Sequence, residues 1–418
     1  MKRTACIAAA GVLLSSAALP ALAQTCAILA TGKSYTLSAV PKPNRPFSLD
    51  DGYFLQVSAD GGRLFADVML DTGSNVLVIP HYAVAGFPSD PDNDTSGFVI
   101  SPKSQYVYGS SGNGYLGYMV RTTVQLKDRL GTTVNSGPVE LYAAVETCSF
   151  VKGANNTETP TNCEAVVQPG PGKVGGPGMM GIGFQTPPAS VTLKTGQLPT
   201  LTNVFQQIPG IETQGWIFQG DQVVVGLNQQ ATRKFTAWAP LLQTTQDGTP
   251  SMAAEGCFQV TPPGGGAPTA AQCGTMLLDT GMSAMNVWVN NKDFASVCPA
   301  APTGTSTGAG SDVGFHGAPI PEGTPITITS PWKDGASLTP IVNYAFNAPP
   351  PPPPPSAPPP STPVSDTKQP SLPHGTPTSV MCSKTSSQAS FSNIGRMPLA
   401  LYSFARNQTC GTYSYAAN

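Results

Sequence analysis

The sequence is poor in charged residues, in histidine and in long apolar segments. Asp, Glu, Lys and Arg make up 11% of the 418 residues, the net charge is −2, and there are three histidines. No basic stripe or acidic block occurs, so nothing points to a nucleic acid or an anionic membrane as partner. The lack of a C-x-x-C pair and the few histidines argue against a zinc site or a dithiol redox motif, so we expect neither metal nor cofactor.

The one long apolar run lies at the N-terminus, after Lys2 and Arg3. It extends over about residues 5–19, and small residues follow at 21–23. This pattern is typical of a cleavable signal peptide, and the run is too short to span a membrane comfortably. We therefore expect residues 1–23 to be removed and the mature protein to be secreted or periplasmic, without a membrane anchor.

Cysteine is present in a number that indicates disulfides. Of nine cysteines, Cys6 lies in the signal segment, which leaves an even number in an exported chain. Nearness in the sequence favours two pairs, Cys148–Cys163 and Cys257–Cys273. The other two are assigned without such support, as Cys298–Cys382 and Cys26–Cys410.

Short strand-like runs bounded by Gly, Pro, Asn and Ser recur along the chain, which has 44 Gly and 44 Pro. The runs are 52–59, 63–70, 75–80, 120–126, 139–145, 222–227 and 325–330. Helical patterns are short, at 199–208 and 291–298. The sequence therefore predicts an all-β protein with a few short helices.

One segment of low complexity, 347–364, contains an uninterrupted proline tract. Such a tract cannot join a sheet or a helix and predicts an exposed polyproline II spacer. Docking of a proline-binding module is the alternative. Patterned sequence follows the tract, so we treat it as a loop within a domain.

Two distant segments share one pattern, VMLDTGSNVLVIP (68–80) and MLLDTGMSAMNVWV (276–289). Each has apolar residues, then Asp-Thr-Gly, then a second apolar run. One such triplet predicts only a turn, but two with matched flanks indicate related lobes that each contribute one Asp. Two carboxylates brought into contact share one proton, so the ionised one can activate water while the protonated one polarises a carbonyl.

The segments around these triplets resemble those of pepsin-like aspartic peptidases, in order and rough spacing. The similar segments are GYFLQV (52–57), SQYVYGSSGNGYLGYMVRTTVQL (104–126), GMMGIGF (178–184), WAPL (238–241) and SNIGRMPLALYSFARN (392–407). The resemblance implies a pepsin-like bilobal β-barrel or sandwich fold, with two related lobes around a central cleft. It also implies an N-terminal lobe at 24–240 and a C-terminal lobe at 241–418.

The resemblance also implies roles for single residues. Asp71 and Asp279 would form the catalytic dyad of an aspartic endopeptidase that binds an extended peptide or protein substrate as a monomer. Tyr108 and Gly109 would lie in a flap that closes over the substrate. The supporting residues would be Thr72, Gly73, Ser74, Thr280, Gly281 and Ser283.

The sequence also departs from the family pattern. Met282 stands where the family has a hydroxyl residue, Val78 where it has an aromatic residue that supports the flap tyrosine, and Arg396 where an acidic residue is common. No basic pro-segment precedes the first strand. These departures keep a second hypothesis open, a catalytically weak or inactive pepsin-type protein that serves as a binding or inhibitor protein. A weaker third one is a surface-displayed scaffold that docks through the proline tract.

Overall fold

The structure is a computed structural model of the chain. The residues that it describes are 32–42, 45–108, 113–152, 158–170, 175–176, 178–183, 193–197, 203–246, 249–262, 264, 266–289, 294, 297–298, 317–330, 342–351, 375–384 and 390–418. The signal segment, most of the proline tract and the helix predicted at 291–298 therefore lie wholly or largely outside the described residues.

Strands dominate the described residues, which confirms the all-β prediction. In chain order they are β1 (Tyr35–Ser38), β2 (Phe54–Ser58), β3 (Ala66–Asp71), β4 (Leu77–Pro80), β5 (Ser104–Val107), β6 (Asn113–Lys127), β7 (Thr133–Lys152), β8 (Glu158–Ala165), β9 (Met179–Gly181), β10 (Gly215–Gln219), β11 (Gln222–Val225), β12 (Ala239–Pro240), β13 (Leu242–Gln246), β14 (Thr249–Val260), β15 (Gln272–Leu277), β16 (Met285–Val289), β17 (Ala318–Pro319), β18 (Pro325–Ser330), β19 (Val342–Asn347), β20 (Val380–Lys384), β21 (Ser390–Asn393), β22 (Tyr402–Asn407) and β23 (Thr412–Ala417). Each run predicted as a strand contains or overlaps one of these elements.

Two large sheets repeat one arrangement of strands. In the eight-stranded sheet β3 is parallel to β9, β9 is antiparallel to β4, and β4 is parallel to β7. In the nine-stranded sheet β15 is parallel to β21, β21 is antiparallel to β16, and β16 is parallel to β20. We call the parts built on these sheets the N-terminal and C-terminal lobes. The two-lobed arrangement is consistent with the pepsin-like fold, and the lobe boundary at 240/241 stays a prediction.

A third sheet joins chain segments that are far apart in the sequence. Its six strands run in the order β1-β11-β10-β22-β23-β12. Aromatic packing connects it to the N-terminal lobe, where the ring centroids of Tyr53 and Phe218 lie 4.6 Å apart. The Tyr413 hydroxyl connects it to the C-terminal lobe by donating to the Glu255 carbonyl at 3.0 Å. The Trp216 indole also donates to the Ile182 carbonyl at 3.1 Å. These buried contacts hold the segment behind Asp71 in place.

Helices are short in the described part of the chain. One α-helix covers Gln229–Thr232, and 3-10 helices cover His81–Ala83, Val204–Gln207 and Met397–Ala400. Val204–Gln207 falls inside the helix predicted at 199–208, where Asn203 and Gln206 form a capping box. No helix among the described residues is long and apolar enough to cross a membrane.

Three of the four predicted disulfides are present, Cys148–Cys163, Cys257–Cys273 and Cys298–Cys382. The fourth, Cys26–Cys410, involves Cys26, which lies outside the described residues. The first disulfide joins β7 to β8 in the N-terminal lobe, and the second joins β14 to β15 in the C-terminal lobe. Each large sheet therefore has its own covalent link between neighbouring strands.

Candidate active site

The first Asp-Thr-Gly triplet forms the turn between β3 and β4. Strand β9 lies between these two strands. The segment that follows β9 supports the turn, because the Ile182 N–H donates to the Asp71 carbonyl at 2.8 Å. The Gly183 N–H donates to the Ser74 carbonyl at 2.7 Å. Apolar residues before and after the triplet are buried in the sheet, so the turn is fixed at both ends.

The second triplet is supported in the same way by the segment after β21. The Ile394 N–H donates to the Leu277 carbonyl at 2.9 Å, and the Arg396 N–H donates to the Met282 carbonyl at 2.8 Å. The repeat in the sequence therefore corresponds to a repeat in the backbone around each turn.

Thr72 and Thr280 hold the two turns against each other. The Thr72 N–H donates to Thr280 Oγ1 at 3.1 Å, and the Thr280 N–H donates to Thr72 Oγ1 at 3.0 Å. Each hydroxyl then donates to a carbonyl of the opposite lobe, Thr280 to Leu70 and Thr72 to Leu278. Both side chains are buried, so these four bonds are shielded from water.

The two glycines allow the carboxylates to meet. A Cβ atom on Gly73 would lie 2.7 Å from Asp279 Oδ2, and one on Gly281 would lie 2.8 Å from Asp71 Oδ1. Both distances are too short for any side chain, so each turn needs glycine where it faces the other lobe's carboxylate. Asp71 and Asp279 are hydrogen-bonded to each other, and each is only 5% exposed.

The electrostatics of Asp71 follow from this contact. Burial, and then the charge of Asp279, raise the pKa of Asp71 well above its usual range. The Gly73 N–H donates to Asp71 Oδ1 at 2.7 Å and partly opposes this rise. Because like charges at this separation disfavour double ionisation, the pair can hold one proton jointly over a wide pH range.

Asn393, which was not among the predicted site residues, donates from Nδ2 to Asp279 Oδ2 at 2.7 Å. The same nitrogen lies 3.3 Å from the sulfur of Met282. The residue type at 282 cannot donate a hydrogen bond, and an amide from β21 takes that place. The strand registers match MMG (179–181) with NIG (393–395), and that alignment shows a polar residue where the other repeat has methionine.

Arg396, noted in the sequence as a departure, is a buried cation behind the second turn. Its guanidinium donates to the carbonyls of Leu49, of Asp50 at 2.5 Å and of Thr280 at 3.3 Å. Burial lowers the pKa of Arg396, while nearby acidic groups, Asp279 first among them, oppose that change. A positive charge therefore lies close to one member of the carboxylate pair.

The two predicted serines lie in different places. Ser74 is beside Asp71 and lowers the pKa of that carboxyl, yet its Oγ makes no hydrogen bond of ordinary geometry within the described part of the chain. Ser283 bonds to Thr378 Oγ1 at 3.1 Å. Met282 occupies the position that matches Ser74, which moves Ser283 one residue further from the carboxylates. Ser283 was predicted to support the dyad, but the contact that it makes is with Thr378 and not with a carboxylate.

Tyr108 follows β5 and lies close to the carboxylate pair. Its ring packs edge-on against Tyr106 and Tyr115, with centroids 5.1 Å and 5.9 Å apart. Its hydroxyl is buried without a hydrogen-bond partner among the residues that the structure describes. Val78, fully buried in the same apolar cluster, cannot supply one. Gly109, the other predicted flap residue, lies outside the described residues.

Tyr106 is a second residue that the sequence analysis did not single out. Burial raises its pKa, and the Asp71 charge adds to the effect, while Ser74 beside its hydroxyl opposes it. It is two residues before Tyr108 on an extended segment, so both rings point to the same side. This spacing of two residues could have indicated Tyr106 as a second tyrosine near the pair.

The described residues also contain one group of possible metal ligands, Glu146, Cys148 and Cys163. Its cysteines form a disulfide, so no thiolate is available there. This group does not include either carboxylate of the pair.

No protein-family model and no curated protein sequence matches this chain. Among solved structures, the chain is similar to the crystal structure of an aspartic proteinase from Irpex lacteus, with a TM-score of 0.47 and 11% identity. The match covers 92% of this chain and 98% of that chain. What the site can do must therefore be inferred from its own atoms.

Proposed function

We propose that the protein is an aspartic endopeptidase of the pepsin type, with Asp71 and Asp279 as its catalytic pair. The observation that carries the proposal is the contact between two nearly buried carboxylates, each supplied by one turn of a repeated strand arrangement. Such a pair combines a general base with a general acid in one place.

The chemistry needs only the pair and a water molecule. The ionised carboxylate takes a proton from water as the water oxygen bonds to the peptide carbonyl carbon, and the protonated carboxyl gives its proton to the carbonyl oxygen. In the tetrahedral diol, the carboxyl that took the water proton passes it to the amide nitrogen. A diol hydroxyl returns a proton to the other carboxylate as the C–N bond breaks. The products are an amine and a carboxylic acid, and the pair is restored.

The surroundings suit this reaction. Thr72 and Thr280 fix the separation of the carboxylates, because each is bonded to the opposite lobe through backbone groups. The tyrosines 106 and 108 cover the pair from the β5–β6 side and limit access of bulk water. Since one carboxyl must be protonated and the other ionised, activity is expected in acidic solution.

The test is digestion of an unfolded protein at about pH 3–5 by the wild type and by Asp71→Asn. The wild type should produce peptides, and the variant should lose about 10²–10⁴-fold of that activity. Asp67→Asn is the matched control, because Asp67 lies on the same strand but is exposed and bonds to Gln56. No cleavage from about pH 3 to 7 by well-folded wild-type protein would contradict the proposal.

A second candidate is a pepsin-type binding protein with little catalysis. The Tyr108 hydroxyl favours it, because this group is buried without a hydrogen-bond partner among the described residues, and a flap whose tyrosine is not held by a hydrogen bond closes less reproducibly. A statine-type peptide imitates the tetrahedral intermediate and should raise the melting temperature of an active enzyme. No rise with this peptide, together with no cleavage, would favour the binding protein.

A further inference from the structure

The two carboxylates of the pair are held by unequal sets of groups. Asp71 accepts from the Gly73 N–H at 2.7 Å, and the neighbouring Ser74 hydroxyl has no ordinary hydrogen bond among the described residues. Asp279 accepts from the Gly281 N–H at 2.9 Å and also from Asn393 at 2.7 Å. Among the described residues, only Asp279 has a buried cation behind it, Arg396.

The orientation of Asn393 is fixed by its second contact. Its Oδ1 accepts from the Gly395 N–H at 3.1 Å, so Nδ2 must face Asp279. An amide nitrogen can only donate, and a donor stabilises the ionised form of a carboxyl over the neutral form. The side chain is 6% exposed, which makes this donation stronger than it would be in water.

The charge of Arg396 acts in the same direction. The residue is 5% exposed, and its hydrogen bonds go to backbone carbonyls, so no carboxylate in the described part of the chain pairs directly with its charge. The titratable groups that face Arg396 are Asp279, Asp50, Asp51 and Tyr53. Of these, Asp51 has its own cation, Lys42 at 2.8 Å, with Arg45 at 3.3 Å.

Apart from Asp279, the groups within the described ranges that face Asp71 carry no positive charge. They are Tyr106 and Tyr108, whose pKa values are raised by burial, so both stay neutral. Among the described residues, a buried positive charge therefore lies near Asp279 and none lies near Asp71.

We infer that Asn393 and Arg396 are positioning residues that keep the negative charge of the pair on Asp279 and its proton on Asp71. The inference rests on the proposed function in assigning roles: Asp279 is the base that activates water, and Asp71 is the acid that protonates the carbonyl oxygen. Asn393 thereby replaces the hydroxyl donor that Met282 lacks.

The first experiment exchanges the donor between two positions. Asn393→Ala should lower kcat by about 10–100-fold with little change in KM, because it removes a donor to a charged group. The double variant N393A/M282T should recover most of that loss, because a threonine at 282 brings a hydroxyl to the same oxygen. An unchanged kcat in N393A, or no recovery in the folded double variant, would overturn the role of Asn393.

The second experiment removes the charge of Arg396. In Arg396→Met the acidic limb of the pH–activity profile should move upward by about 1–2 pH units, because the ionised carboxylate loses its cation. Arg396→Lys keeps the charge and should keep the profile. Arg406→Met is the matched control, because Arg406 is also buried and burial alone lowers its pKa to about 9. A profile that is unchanged in R396M, or that moves equally in R406M, contradicts the inference.

A third measurement needs no activity. In protein labelled with carbon-13 at the Asp carboxyl carbons, the resonances missing from D71N and from D279N identify the pair. Of the two titration steps of the pair, the one at higher pH should appear at the Asp71 resonance in the wild type, and the one at lower pH should move upward in R396M but not in R396K or R406M. The reverse order, or no movement in R396M, overturns the inference. The expected titration together with no cleavage overturns only the proposed function.

Discussion

The turn around Asp71 and the turn around Asp279 have nearly the same backbone but different side-chain support. Both lie between two strands, with a third strand behind them and a threonine bonded across to the other lobe. They differ in the side chains beside the carboxylates: Ser74 lies near Asp71 without a hydrogen bond of ordinary geometry among the described residues, whereas Asn393 donates to Asp279 Oδ2. The backbone therefore fixes where the carboxylates meet, and the side chains decide how charge divides between them.

The disulfides allow a first test of how the lobes differ. Cys148–Cys163 and Cys257–Cys273 span 15 and 16 residues, so removing either one in C148A/C163A or C257A/C273A should cost about 3 kcal/mol of unfolding free energy. Denaturant unfolding measures this cost, and we expect similar values.

The same variants should differ in KM. Cys148 lies opposite Gly114 of β6 and packs with Val107 and Leu116, which belong to β5 and β6, the strands that flank the predicted flap. C148A/C163A should therefore raise KM at a temperature where both variants are folded, and C257A/C273A should raise it less. Equal KM values would mean that the flap strands do not depend on their neighbouring hairpin.

The threonines provide a second test, in which the two lobes should behave alike. Thr72→Ala and Thr280→Ala each remove a buried hydroxyl that accepts one N–H and donates to one carbonyl. Each should cost about 1–3 kcal/mol, and the double variant should cost less than the sum because the four bonds form one network. Thr→Ser at the same positions keeps the hydroxyl and is the control. A large difference between T72A and T280A would show that one turn bears more of the contact between lobes.

The smallest expected effect is on stability as a function of pH. Burial and the Asp279 charge raise the pKa of Asp71 in the folded protein. The protonated Asp71 therefore contributes its full stabilisation when the pH is below the pKa of an unfolded Asp, about 3.9. This stabilisation is lost as the pH rises through the pKa of Asp71 in the folded protein. Asp71→Asn stays neutral, so its melting temperature should gain on the wild type as the pH rises above about 4. D67N should show no such gain, and a constant difference between D71N and wild type would contradict a raised pKa.

Much of the fold could be predicted because its signals are local. The run at 325–330 alternates apolar and polar residues and becomes a strand with alternating burial, and the run at 52–59 contains β2. The paired triplets indicated two related turns because the same residue types recur in the same order. In contrast, the partner of β10 is β22, and no local pattern indicates which distant strand completes a sheet.

The missed parts of the site have the same cause. Asn393 is 114 residues from Asp279 in the chain, and its donation depends on the register of β21 beside β15. Arg396 was visible as a departure, but its burial against Leu49 and Asp50 depends on how the chain before β2 folds back. Ser283 was included by its nearness to the second triplet, and one inserted residue was enough to give it another partner.

The six-stranded sheet has a consequence for biosynthesis. Strand β10 acquires its second neighbour only when residues 402–407 have emerged from the ribosome, and β1 adds at the edge beyond β11. The nascent chain therefore carries an open sheet edge until β22 has been synthesised, and such long-range closure is slow. Either half expressed alone should therefore be prone to aggregation, and co-expression of the two halves should rescue both.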